Sequence, residues 1–233
     1  MKLHRFIDSF DFSHNEFFIE SFEIVHQLTY VLRVKKGEKI ILCDGQGKEA
    51  KVEILEIQKT QLQVKILEKY KSIPEPQRQL TLYAAIIKGE HFEILAEKAV
   101  EIGVHKIVPI ITSRTVKLNL KLDRIQKIMK EAAEQCGRGI VPTLEEPILF
   151  KDALKHCQKN EKNFFCDFTD TVFSSSLIVQ AKNIGCFVGP EGGWDDTDRT
   201  LVREKKLIFL NLGKFTLRAE TASMVATYIL SSS

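Results

Sequence analysis

The feature that most restricts this chain is a pattern that occurs twice near its end. An apolar run reaches a glycine-containing loop, and a helix pattern follows. The first copy is Ile184-Gly-Cys-Phe-Val-Gly-Pro-Glu-Gly-Gly-Trp194 with a polar helical run behind it. The second is Leu207-Ile-Phe-Leu-Asn-Leu-Gly213, after which Lys214-Phe-Thr-Leu-Arg-Ala-Glu-Thr-Ala222 leads into a final apolar helix. Such strand–loop–helix units belong to α/β folds, and they bring backbone N–H groups and helix N-termini against a small ligand. The loop Gly189-Pro-Glu-Gly-Gly193 is neither G-x-x-x-x-G-K-[ST] nor G-x-G-x-x-G, which excludes a P-loop and a dinucleotide fingerprint. Pro190 fixes the backbone, Gly192 and Gly193 permit close approach, and Asp195, Asp196 and Thr197 can cap the next helix. Taken alone, the loop is equally a tight β–α turn. In the second loop, Arg218 and Glu220 stand among small residues at a helix start, as a ligand-facing pair or as an ion pair with each other.

Upstream, two regions differ in pattern. Residues 1–72 read as a small β-rich domain. Lys39–Leu55 is an apolar run, an Asp44-Gly45 turn and an alternating run, and Thr60–Leu67 alternates again. One helix interrupts, Phe22–Arg33, with Ile24, Leu28, Val31 and Leu32 on one stripe. Ser72-Ile-Pro-Glu-Pro-Gln-Arg78 breaks the pattern and reads as a linker, so the second domain is expected over 73–233. That domain opens with the continuous apolar run Leu80–Ile87, which fits a buried parallel strand. A helix over 90–102 with a Gly103 C-cap and a strand over Lys106–Ile111 follow. A helix capped by Asp123 runs through Gln135 with Ile125, Ile128, Met129, Ala132 and Ala133 inward. A short helix near 151–158 and a strand over Asn163–Phe168 come next.

The formal charge of +3 is spread evenly along the chain. A nucleic-acid surface therefore requires local clustering. One cluster exists: Lys106, Arg114, Lys117, Lys121, Arg124, Lys127 and Lys130, opposed nearby by Asp123. The ridge Arg124–Lys127–Lys130 is either a polyanion contact or a solvated face. In the first domain Arg5, His26, Arg33, Lys35 and Lys36 are candidates for phosphate contact, or ordinary surface. The five cysteines form no metal-like spacing, so reduced thiols and no metal site are expected. No apolar run reaches the ~18 residues of a membrane span. Met1–Asp8 lacks an apolar signal core, and a cytoplasmic protein is expected.

Four ordered motifs carry a resemblance that spans nearly the whole chain. They are Lys98-Ala-Val-Glu-Ile-Gly-Val104, Glu134-Gln-Cys-Gly-Arg138, Val188-Gly-Pro-Glu-Gly-Gly193 and Leu212-Gly…Leu217-Arg-Ala-Glu-Thr-Ala222. This set resembles the ribosomal RNA small-subunit methyltransferase E family, which methylates N3 of a uridine in 16S ribosomal RNA. The Arg5-Phe6 and His26…Val31-Leu-Arg33 patterns agree with it. The resemblance implies a PUA-like β-barrel for RNA, then a SPOUT-type α/β domain whose last segment forms a deep trefoil knot. It also implies a homodimer binding S-adenosylmethionine, with 16S ribosomal RNA or the small ribosomal subunit as partner. By match, Gly189, Glu191 and Gly192 form one cofactor wall. Leu212, Gly213, Leu217, Arg218, Glu220 and Thr221 form another, and Thr112-Ser-Arg114 makes a third. For catalysis, Arg138 or Arg218 is expected to stabilise the uridine N3 anion. Glu191 or Glu220 either accepts the proton or holds the loop through backbone N–H groups. The second loop departs from the family's Gly-Pro-Arg and Leu-Arg-Thr-Glu-Thr. Here it reads Gly213-Lys-Phe215 and Leu217-Arg-Ala-Glu-Thr221, which removes a proline and leaves Lys214 as a point charge.

Overall fold

The computed structural model describes residues 3–116, 119–169, 174–178 and 180–231. Lys117 of the expected basic cluster and the terminal Ser232 and Ser233 lie outside them. The chain divides into two units, Met1–Glu75 with Ala133–Val141, and Pro76–Ala132 with Pro142–Ser233.

The first unit contains β1 (Arg5–Ile7), β2 (Glu16–Ile19), α1 (Phe22–His26), a π-helical turn (Gln27–Val31), β3 (Lys39–Cys43), β4 (Lys48–Ile57) and β5 (Leu62–Lys71). They form one sheet in the order β1-β3-β4-β5-β2. Only β1 against β3 is parallel in that sheet. The expected β3–β4 hairpin turns where the Asp44 carboxylate accepts the N–H groups of Gln46 (2.8 Å) and Lys48 (2.9 Å). Alternation puts Val52, Ile54, Leu62 and Val64 inside with Ile24, Val25 and Leu28 of the helix. Two register shifts between β4 and β5 mark bulges, the device that curls a small sheet around its core. The short strands β1 and β2 have no long alternation and were not expected. The helix predicted over Phe22–Arg33 changes to a π turn after His26.

The second unit is α/β. Its elements are β6 (Gln79–Ala85), α2 (Gly89–Ile102), β7 (Lys106–Ile111), α3 (Leu122–Cys136, whose last four residues group with the first unit), β8 (Thr143–Leu144), β9 (Ile148–Leu149), α4 (Phe150–His156), β10 (Lys162–Cys166), β11 (Asn183–Val188), α5 (Asp196–Glu204), β12 (Ile208–Leu210) and α6 (Ala219–Ser231). The sheet runs β12-β10-β11-β6-β7-β8, with β9 also on β7, and every recorded pair is parallel. Central β6 and β11 are buried on both faces, which is why they read as unbroken apolar runs. Gly103 ends α2 in the left-handed region (φ +108°), as its position predicted. Asp123 is not a cap, because α3 begins one residue earlier and places it in the first turn.

Candidate functional site

One cavity of this unit, ≈ 560 Å³, lies at the C-terminal ends of four neighbouring parallel strands, β12, β10, β11 and β6. That edge is where α/β sheets bind ligands, because helix N-termini and loop amides converge there. Its size is that of a small-molecule site. Both glycine loops line it, through Gly189, Glu191 and Gly193 after β11 and through Leu212, Gly213, Leu217, Arg218 and Glu220 after β12. The sequence had separated them by some twenty residues; β10 lies between their strands and brings both to one opening.

Each loop is fixed by its own chemistry. Trp194 is 2% exposed and its Nε1–H donates to the Cys166 carbonyl at 2.9 Å. Its ring packs on Phe165 (centroids 4.4 Å) and Phe150 (5.1 Å). Gly189 presses against that indole so closely that a Cβ there would sit 2.9 Å from Cε2. The Gly193 N–H closes the turn on the Pro190 carbonyl at 2.8 Å. Asp195 then caps α5 by accepting the Asp198 N–H (2.7 Å), and Asp198 reciprocates. The Asp195 carboxyl is held below the usual range, first by the Ser113 hydroxyl and then by the Asp198 amide. In the second loop, the Asn211 carboxamide accepts the Gly213 N–H (3.0 Å) and donates to the Thr169 carbonyl (2.7 Å).

The carboxylates at the opening are engaged. Glu191 accepts the Lys88 backbone N–H at 3.3 Å, and Glu220 lies 3.2 Å from His91 Nδ1. Glu220 therefore pairs with His91 and not with Arg218. Arg218 is exposed at the cavity and has no ion-pair partner among the described residues. Lys88, His91, Asp167 and Phe168 line the cavity too, although sequence reasoning passed them over. The signal existed for two of them. Lys88-Gly-Glu-His91 follows the apolar β6 run just as the other glycine loops follow β11 and β12. Asp167 and Phe168 had been assigned to a strand that ends earlier, at Cys166.

Other expected positions lie elsewhere. Thr112, Gly192 and Thr221 are not among the cavity-lining residues. Thr112 is buried with its hydroxyl 3.2 Å from that of Thr115. Arg114 donates to the Gly192 carbonyl at 2.6 Å. The Thr112–Arg114 stretch thus contacts the first glycine loop, Arg114 at Gly192 and Ser113 at Asp195. In the first unit, Arg138 is bound by the Glu75 carboxylate through its Nε (3.1 Å) and Nη2. Arg5 is largely buried in an ion pair with Glu49 and donates to Cys43 Sγ at 3.2 Å, so its guanidinium does not face solvent. The expected basic cluster is partly neutralised by acids from other elements: Glu93 binds Arg124 of the ridge (2.6 Å) and Glu145 binds Lys106 (2.6 Å). Lys127 is exposed, as are His26, Arg33 and Lys35. Among the described residues no group of three or more His, Cys, Asp or Glu could hold a metal, and no helix is long and apolar enough to cross a membrane.

Comparison with known proteins agrees with this architecture. An RNA methyltransferase domain model matches residues 74–231, and an RNA methyltransferase PUA domain model matches residues 23–67. A ribosomal RNA small subunit methyltransferase E from Rickettsia conorii is 31% identical over 210 residues, 87% of this chain and 84% of that protein. The chain belongs to the ribosomal RNA small subunit methyltransferase E family. A family member from Neisseria gonorrhoeae, solved bound to S-adenosylmethionine, is 29% identical with a TM-score of 0.90, over 99% of this chain and 98% of its own. A protein from Legionella pneumophila, solved in complex with the cofactor SAM, has a TM-score of 0.92 at 27% identity, over 100% and 98% of the two chains. The small N-terminal β domain and the C-terminal parallel-sheet methyltransferase domain are thus those of the family.

Proposed function

We propose that the protein transfers a methyl group from S-adenosylmethionine to N3 of a uridine in 16S ribosomal RNA of the small subunit. The observation that carries this reading is the single cavity lined by both glycine loops. Its residues fit the cofactor: apolar walls from Leu212 and Leu217 suit a nucleoside ring, and exposed Phe215 stands at the rim. Charged Glu191, Glu220 and Arg218 suit its polar ends. When bound, S-adenosylmethionine supplies a methyl carbon made electrophilic by its sulfonium.

The chain's own residues must do the rest. Uridine N3 carries a proton at neutral pH, and that proton has to leave. We assign its acceptance to Glu220, which pairs with His91. Glu191, bound to the Lys88 amide, holds the loop. Arg218 stabilises the resulting N3 anion, a role that a guanidinium without a carboxylate partner can fill. We favour it over Arg138, which Glu75 already holds. Holding acceptor and donor aligned supplies much of the rate. The reading includes a homodimer in the cytoplasm, and a SPOUT-type trefoil knot formed by the segment that carries the second loop into α6.

Calorimetric titration with S-adenosylmethionine should give saturable binding. Undermethylated small subunits should gain one 3-methyluridine in the wild type, and Arg218→Ala should slow that at least ~100-fold, the scale of losing one stabilising donor. Absence of cofactor binding, or a methyl group found on a ribose hydroxyl, overturns the reading.

A further inference from the structure

The first unit carries a row of aromatic rings that the cavity does not use. Phe22, His26 and Tyr30 recur every four residues and all are exposed, Phe22 at 83% and Tyr30 at 57%. Their rings stand in file. The Phe22 and His26 centroids are 6.1 Å apart with planes 32° apart, and those of His26 and Tyr30 are 5.2 Å and 36° apart. A regular α-helix would not keep such a file. Four residues overshoot one turn by about 40°, so eight would swing the third ring about 80° away from the first. Here the helix changes to i→i+5 bonding after His26, and the Leu32 N–H donates to the Gln27 carbonyl at 2.9 Å. A wider turn rotates less per residue and takes that drift back, which keeps Tyr30 in line. Inserted π turns are frequent at functional sites.

The opposite face of the same helix holds Ile24, Val25 and Leu28 in the core, so the rings are fixed facing outward. Charge is arranged along the row. Exposed Arg33, Lys35 and Lys36 follow at the Tyr30 end and have no ion-pair partner among the described residues. The acids Glu20 and Glu23 lie at the Phe22 end. An exposed run of rings with cations at one end matches unpaired nucleotides: bases offer π faces to the open sides of the run and the backbone offers phosphates to the cations. A duplex keeps its bases inside and cannot use the rings.

We propose that Phe22, His26 and Tyr30 form a stacking platform for unpaired RNA bases, with Arg33, Lys35 and Lys36 on the adjoining phosphates. This inference does not depend on the methyl-transfer reading. The test uses the full chain and fluorescence anisotropy, with a labelled single-stranded RNA of about twelve nucleotides and a duplex of the same length. Tyr30→Leu should weaken single-strand binding about tenfold and Phe22→Leu with Tyr30→Leu about a hundredfold, whereas Tyr30→Phe stays within about twofold. Duplex binding should change less than about twofold in all three, and S-adenosylmethionine affinity should not change. Wild-type single-strand affinity in the double variant overturns the platform. So does an equal loss on both RNAs, or a sedimentation shift showing that the rings join two copies of this chain. Wild-type protein that binds no cofactor, yet loses single-strand binding through Tyr30→Leu, would sink methyl transfer and leave the platform standing.

Discussion

Gly189→Ala tests the cavity at its most constrained point. The added methyl would lie 2.9 Å from Trp194 Cε2, 3.0 Å from Nε1 and 3.2 Å from Cδ2, all inside contact distance. The indole resists stepping aside, because Phe165 and Phe150 pack on it and Cys166 holds its Nε1–H. Overpacking of this kind costs about 1–3 kcal/mol. If the ring yields and the Nε1–H bond breaks, about 1 kcal/mol more is lost. The expected destabilisation is therefore about 1–4 kcal/mol, a large part of an ordinary domain's stability. Urea unfolding at constant slope should show it, and calorimetry should show a displaced loop as S-adenosylmethionine affinity lowered about tenfold or more. Gly193→Ala is the control. Nothing lies within 4 Å of its Cβ position, and only its φ of +68° resists a side chain, at about 1 kcal/mol. Adding Trp194→Ala to Gly189→Ala removes the whole clashing ring, so the double variant should fall short of the summed costs by about 1 kcal/mol. Gly189→Ala within about 0.5 kcal/mol of wild type, or no costlier than Gly193→Ala, would refute the reasoning.

Two further outcomes are expected. Arg138→Ala leaves a mostly buried Glu75 carboxylate without its guanidinium and should lower unfolding free energy by about 2 kcal/mol, with S-adenosylmethionine affinity unchanged. Unchanged stability with abolished methylation would return Arg138 to the reacting groups. Burial pushes the Cys43 thiol up to about 12 and the Cys157 thiol to about 11, against 9.0 for a free thiol. The fold therefore favours the neutral thiols. Their contribution is complete below pH 9 and is lost as pH rises from 9 towards 12, at up to about 1.4 kcal/mol per unit for each group. Urea midpoints should hold between pH 7 and 8.5 and fall by pH 10.5, and a smaller fall in a Cys43→Ala, Cys157→Ala variant would tie the loss to these thiols.

What the sequence made legible follows period and turn chemistry. β6, β7 and β11 were readable because a strand buried on both faces must be apolar throughout, and α2 because its stripe ends at a glycine that can turn left-handed. The two glycine loops were readable as strand–loop–helix turns, and the sheet order brings both to one cavity. The pairings of charged groups were not. Arg5 with Glu49, Arg124 with Glu93 and Glu220 with His91 join residues from 31 to 129 positions apart. Counting local neighbours cannot find a partner delivered by another element. That is why the basic ridge looked unopposed and Arg5 looked like a surface cation.

The π turn after His26 shows the same limit from the other side. Phe22, His26 and Tyr30 at spacing four look like a drifting row on any ideal helix, and their exposure looks like waste. Aligning them requires that one turn be wound wider, and Ile24, Val25 and Leu28 on the opposite face must still reach the core while it is. An apolar stripe constrains which face points in; it leaves the pitch of the exposed face free. Function can be written in that freedom without disturbing the core pattern, so a surface row is invisible to periodicity but appears once ring centroids can be measured. The same holds at the cavity, where Gly189 is explained by an indole five residues later and not by any turn rule.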